Sequence, residues 1–458
     1  MRVLPLLALL SITACAPIPG AQVTKSFASE RSEGISLPAM QGFGTSPKIS
    51  SLRSNADLIQ LFNLLEFNME SGRALPVLTR FEGPISVRMI GAVPPTAQAE
   101  LLRLIARFRN EAGIDIRPVG PDDDASITID FQSRADMSRV VPMAACFVVP
   151  RVTSFAEYRL KRNSPDVDWT TVTERSHVAV FVPADTAPQE VRDCLNEELA
   201  QAMGPLNDLY QNSDSVFNDD NFNSVLTDFD MMMLRVHYAP ELRSGMNQAE
   251  VAKHLPRVLA RINPKGAGLT AAKRTQMSPR SWVAAVEASF GLRGNANSRR
   301  EAANRMLSIA MAQGWTDGRL GFSYYAKGRA LSATNRADAV TAFAEAGRIY
   351  RSIPGASVQA AHVDMQLAAI ALASAQADTA IQFADRAIPV VQRAENAALL
   401  ATLMLIKAEA LDNMGQTAAA RAQRLDSLGW ARYGFGADQS LRARQAEIAS
   451  LGARGRRG

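Results

Sequence analysis

Hydrophobic and polar positions change their period along the chain, and the changes divide it. Residues 1–14 open with Arg2, run through the apolar stretch Val3 to Leu10 and end in small residues before Cys15. From Ala16 to about Ser50 the chain is rich in Pro, Gly and Ser with no sustained apolar period, so it reads as a tether. A helix is expected from Asn55 to Ser71, a strand from Ile85 to Ile90, and a helix from Thr96 to Glu111 whose apolar face is Leu101, Leu102, Leu104, Ile105 and Phe108. Ile114 to Ile116 and Ser126 to Phe131 alternate at period two, and Cys146 to Pro150 and His177 to Val182 read as further strands. Pro188 to Met203 is a helix with Pro at its start, Glu190 and Asp193 in its early turns and Gly204 at its end. This is an α+β layout with a mixed sheet.

Asn247 followed by Glu250 is a capping-box pattern opening a helix to about Ile262, and Pro264 to Gly268 then breaks the chain. Beyond the break the composition turns to Ala, Leu, Gln and Arg with no strand pattern, which predicts an all-helical region. It also repeats: Ala330-Leu331, Ala371-Leu372 and Ala410-Leu411 recur at intervals of 41 and 39, each followed by a polar break and a second helix opening near Ala339, Ala380 and Ala418. Stacking helix pairs buries faces that one pair leaves wet. The pattern over about 280–430 resembles tetratricopeptide (TPR) repeats, with Gly328, Ala330, Ala342 and Ala346 at small-residue positions, although the period exceeds the usual value of about 34. A plain helical bundle is the alternative. The expected organisation is multidomain: a signal peptide over 1–14, a tether over 15–50, an α+β domain over 51–262, a linker over 263–279, a helical repeat domain over 280–452 and a basic tail over 453–458.

Composition excludes wholesale disorder, since 47% of the 458 residues are hydrophobic and 21% charged. The net charge of +5 hides an asymmetry. Residues 15–264 carry 24 basic and 31 acidic side chains, net −7, whereas 265–458 carry 25 and 14, net +11. Such a split suggests modules with different partners, an anionic lipid or cell-wall polymer among them. The basic residues are spread thinly, with no aromatic interleaving and no nucleic-acid motif, so no nucleic-acid partner is expected.

The first 14 residues read as an export signal, because the apolar run is far shorter than the roughly 20 residues a membrane-spanning helix needs. Ile12-Thr13-Ala14-Cys15 resembles the lipobox of bacterial lipoproteins, in which the cysteine is lipidated and becomes the first mature residue. That resemblance implies a lipid anchor at Cys15 in the bacterial cell envelope, and Ala16, where a retention aspartate would sit, implies outer-membrane sorting, facing the periplasm. An ordinary signal peptide is the alternative. Once Cys15 is assigned to lipid, Cys146 and Cys194 remain; in an exported protein a Cys146–Cys194 disulfide is expected, with two buried thiols as the alternative.

The helix from Pro188 continues as Cys194-Leu-Asn-Glu197-Glu198-Leu-Ala-Gln201-Ala-Met-Gly204-Pro-Leu-Asn207-Asp208. Glu197 and Gln201 are one turn apart on one face, Glu198 lies beside them, and Gly204 lets the chain turn so that Asn207 can come back. The spacing resembles the long zincin motif HExxHxxGxxH of metzincin metallopeptidases, in which three histidines hold zinc and the glutamate activates water. Laid on it, Glu197, Gln201 and Asn207 occupy the ligand positions, Glu198 the general-base position and Gly204 the glycine, with all three histidines missing. The order of elements upstream is also what a zincin domain would give, and Leu226 to Leu234 resembles the closing helix of matrixin-type enzymes.

Amide oxygens are poor zinc ligands, so the resemblance implies a vestigial or atypical metal set. No cofactor is expected; an oxygen-rich site for a harder ion such as calcium or manganese would draw on Asp208, Asp219 or Asp220. His177, His237, His254 and His362 show no ligand spacing, and Met231-Met232-Met233 reads as core filling.

From about residue 50 to 246 the chain, with its Glu-Glu-Leu-Ala-Gln, Val-Phe-Asn-Asp-Asp and Tyr-Ala-Pro-Glu-Leu-Arg-Ser-Gly-Met segments, resembles a family of bacterial lipoproteins known as domain of unknown function 2927, grouped with the zincin-like peptidases. Together these resemblances imply a lipid-anchored envelope protein with an inactive zincin-like domain and a TPR-like domain that binds an envelope protein or peptide. The alternative is a peptidase or amidase in which Glu198 activates water beside a divalent metal.

Overall fold

The computed structural model describes residues 38–44, 52–142, 144–271, 276–291 and 294–455. The expected signal peptide, Cys15 and most of the tether lie outside these residues. Among the described residues no helix is long and apolar enough to cross a membrane.

An N-terminal α/β region is followed by an all-helical one. Helix α1 (Asn55–Glu66) starts where the Ser54 side chain accepts from the Asp57 N–H at 3.0 Å, and it buries Leu58, Leu61, Phe62 and Leu65. It stops well short of the expected Ser71: the chain turns at Gly72 (φ +81°), with Met69 N–H donating to Arg73 O at 2.9 Å. Then come β1 (Ile85–Gly91), α2 (Ala97–Arg107), β2 (Ile116–Pro118), β3 (Ile127–Gln132), α3 (Arg134–Val140), β4 (Phe147–Pro150), α4 (Phe155–Lys161), β5 (Val178–Pro183), α5 (Pro188–Met203), α6 (Asp228–His237) and α7 (Gln248–Ile262). Helix α2 runs into a π turn over Phe108–Ala112 that Gly113 closes at φ +71°.

The five strands form one mixed sheet in the order β2-β1-β3-β5-β4, parallel except for β4, which runs antiparallel to β5 at the edge. Both faces of the sheet are covered. Ile127, Ile129 and Phe131 join the main core beneath α1, α2, α5, α6 and α7. On the other face Ala179 and Phe181 of β5 pack with Met137 of α3 and Phe155 of α4, two short helices that the sequence pattern did not predict. The polar residues of β3 survive there because they are paired: buried Asp130 accepts from the Phe155 N–H at 2.8 Å and from Gln132 Nε2 at 2.6 Å.

The helical region comprises α8 (Arg280–Phe290), α9 (Ala296–Ala312), α10 (Gly318–Leu331), α11 (Arg336–Ser352), α12 (Ser357–Ala373), α13 (Ala377–Arg393), α14 (Ala397–Asn413), α15 (Thr417–Phe435) and α16 (Asp438–Gly455). The repeated Ala-Leu pairs end α10 and fall within the final turns of α12 and α14. Small residues set the spacing: a Cβ on Gly328 of α10 would lie 2.7 Å from the Phe343 ring of α11, and one on Gly321 would lie 2.9 Å from Tyr350.

Residues 39–458 form one compact unit. The expected linker begins as a 3₁₀ turn, Pro264–Gly268, whose Gly266 is buried against Asn55 and Asn263. At the other end of the expected tether, Phe43 stacks on Trp430 with ring centroids 4.7 Å apart, and Arg103 donates to Phe43 O at 2.6 Å.

Candidate functional site

Helix α5 carries the site because both of its ends are held. At its start Gln189 Oε1 accepts from the Ala398 N–H at 2.8 Å, and the fully buried Arg192 donates to Glu395 O at 2.6 Å, both at the beginning of α14. At its C-terminus the buried Arg175 donates to Gln201 O at 2.6 Å and to Gly204 O at 2.5 Å, placing positive charge where the helix dipole is negative. Burial lowers the Arg175 pKa only to about 10, so it stays charged. Cys146, at the entry to β4, and Cys194 of α5 are joined as a disulfide with Cα atoms 5.9 Å apart, which ties the edge strand to the helix.

Between that edge strand and α5 lies a cleft of about 480 Å³. Ala144 to Val148 form one wall; Glu197, Glu198 and Gln201, which the helical spacing places together, form the floor. The segment after α5 has no regular secondary structure and returns Asp208 and Asp219 to the same cleft, and the turn after α1 adds Glu70. Asn207 lines an adjoining cavity of about 200 Å³ that shares Glu70, Asp208 and Asp219. It is fully buried, with Nδ2 donating to Leu64 O at 2.8 Å and Oδ1 without a partner.

The returning segment is held from the helical side. Tyr210 and Phe222 sit in a core cluster with Trp282, Phe322 and Tyr325, and Gln359 of α12 donates to Ser213 O at 2.7 Å. Asp220, a candidate for a hard-ion site, instead accepts from Asn218 Nδ2 at 3.1 Å and from the Phe222 N–H at 3.1 Å.

Five carboxyls thus share one cleft, and among the described residues no lysine or arginine lines it. Desolvation and mutual repulsion raise the pKa of each. Glu70 is raised to about 7 by desolvation and the Asp219 charge, against a hydrogen bond from Gln201. Glu197 is raised to about 8 by desolvation and then by Glu70, Asp219 and more distant carboxylates. Glu198 and Asp208 are raised well above the ordinary carboxylate range, again by desolvation first. Asp219 is raised too, less so because Tyr210 bonds to it.

No histidine lines the cleft. His237 is buried in the core with Nδ1 2.9 Å from Glu66 Oε1, His177 lies 3.8 Å from Asp124 at the start of β5, His254 is on α7 and His362 on α12. Glu70 is the site residue that sequence reasoning missed, because it was read as part of a helix that in fact ends at Glu66. A larger depression of about 770 Å³ between the start of α5 and α16 is shallow and lined by half-buried groups such as Glu190 and Arg444, each paired with a neighbour outside α5's carboxyl cluster.

Residues 55–257 match the family described as Protein of unknown function (DUF2927). No curated protein and no solved structure matches the chain.

Proposed function

Because residues 55–257 form a DUF2927 domain, we propose that the protein is a bacterial cell-envelope interaction module whose cleft holds an extended polypeptide segment without cutting it. The observation that carries this reading is the position of the cleft. It is lined by Phe147 and Val148 at the start of β4, an edge strand whose second backbone edge has no strand partner among the described residues. An unpaired edge beside a groove is the geometry by which extended peptides add a strand to a sheet. The missing histidines support binding over zinc-dependent hydrolysis.

On this reading the protein is anchored to the membrane through lipid on Cys15, and its helical pairs, TPR-like in period, form the scaffold that shapes the cleft and offers a second surface to an envelope protein. A zincin ancestry for the α/β region accounts for the Glu197, Gln201 and Gly204 spacing.

Peptide selection from a displayed library against the whole mature protein tests the cleft. Ala145 is exposed on the cleft wall, so Ala145→Trp fills the groove at little cost to folding. Loss of peptide capture in that variant with unchanged thermal stability supports the reading; unchanged capture overturns it. The enzyme alternative has one observation in its favour, the buried Glu198 Oε2 that lacks a partner while facing the cleft. It requires peptide cleavage that disappears in Glu198→Ala.

A further inference from the structure

Glu70, Asp208 and Asp219 come from three separate places in the chain, yet one carboxylate oxygen from each lies within 4.8 Å of the other two. Three oxygens so spaced surround a point at about the distance of calcium–oxygen bonds, 2.3–2.6 Å. Two further observations point to a ligand there. Asp208 is 7% exposed, lines both cavities, and its buried Oδ1 has no hydrogen-bond partner. Glu198, 5% exposed on the floor of the same cleft, likewise has a buried Oε2 without a partner. Buried polar atoms are paired in the great majority of cases, so two carboxylate oxygens without a partner among the described residues, both from residues lining this cleft, point to a cation as their partner. Arg280, which lines the adjoining cavity, has its guanidinium 4.0 Å from Glu287.

We propose that Glu70, Asp208 and Asp219 form a binding site for one hard divalent cation of calcium or manganese size. All three donors are carboxylates, and such oxygen sets suit calcium, magnesium and manganese rather than metals that favour imidazole or thiolate. The site is displaced from the zincin-type positions: of the helix residues, Gln201 takes part by donating a hydrogen bond to Glu70. The cation would clip the turn after α1 to the segment after α5 and hold open the end of the cleft. The inference stands apart from the peptide-binding reading, because cation binding is measured with no peptide present.

The test is calorimetric titration of the whole mature protein, freed of metal with chelator, using calcium chloride and manganese chloride separately. A single site per chain is expected, with thermal stabilisation on binding and an affinity lowered about tenfold or more in Asp208→Asn and Asp219→Asn. Glu70→Gln, on an exposed turn, gives the same loss should either aspartate variant fail to fold. Absence of binding and of any melting shift up to about 5 mM of both salts overturns the proposal. It is equally overturned if Glu197→Gln abolishes binding while Asp219→Asn leaves it intact, since the ion would then sit on the zincin-type positions.

Discussion

The imidazole of His362 on α12 packs against the ring of Phe222 with centroids 4.4 Å apart, so a histidine of the helical region supports the segment that carries Asp208 and Asp219. Phe222 also meets Tyr325 edge-on at 5.2 Å. His362 is held neutral: burial, and then the positive charge of Arg329, lower its pKa from 6.5 to about 3. A base whose folded pKa is depressed contributes stability that is present above its unfolded pKa and is lost as pH falls toward the folded value. We therefore expect the contribution of His362 to decline from about pH 6.5 downward, by on the order of 1–2 kcal/mol at pH 5. The difference in denaturant midpoint between the native protein and His362→Gln, taken at pH 7 and at pH 5, checks this. His362→Gln should flatten the acid limb, and an unchanged limb would exclude His362 as its source.

The same contact makes the α/β region dependent on the helices. Phe222→Ala leaves a cavity in the shared aromatic cluster and should cost about 3 kcal/mol. A chain ending at Ile262 would expose Tyr210 and Phe222 together, along with the α5 surface that meets α14. Such a chain is expected to aggregate or to bind a hydrophobic dye. A soluble fragment with native-like hydrogen-exchange protection in α5 would contradict this.

The Cys146–Cys194 bond closes a chain separation of 48 residues. Constraining a loop of that size stabilises by up to about 4 kcal/mol in the chain-entropy treatment, with about 2–4 typical. The Cys146→Ala/Cys194→Ala protein should therefore melt lower. It should also lose definition of the cleft wall, seen as faster amide exchange in β4 than in β1. Equal exchange in the two strands would show that β4 is held without the bond.

With no cation bound, the carboxyl cluster should act in the opposite sense to His362. Folded pKa values raised to about 7 for Glu70 and about 8 for Glu197 mean that the native state keeps protons the unfolded chain has released. Stability then falls as pH rises from about 4.5 through 8. Asp208→Asn removes one of the repelling charges and should raise the melting temperature at pH 8 while leaving it nearly unchanged at pH 5. A drop at both values would mean that Asp208 is instead part of a stabilising network.

Much of the architecture was legible because local patterning decides it. The period-two and apolar runs of β1, β3 and β5, Pro188 and Gly204 around α5, and the Asn247–Glu250 capping box of α7 each act within a few residues. The recurring Ala-Leu pairs likewise announced paired helices, since close helix approach demands small side chains. The face shared by Glu197, Glu198 and Gln201 followed from helical geometry alone.

Tertiary structure decided the rest. Helices α3 and α4 are seven residues each, too short to show a period, and form under the sheet because capping and burial there favour them. Glu70, Asp208 and Asp219 meet only because α1 stops at Glu66 and because Tyr210 and Phe222 are drawn into the core of the helical region. Those contacts join residues far apart in the chain, and no local pattern encodes such a meeting. The sequence by itself determined the helices and most of the strands, while the charge of the cleft and the place of its orphaned oxygens came from packing between the two regions.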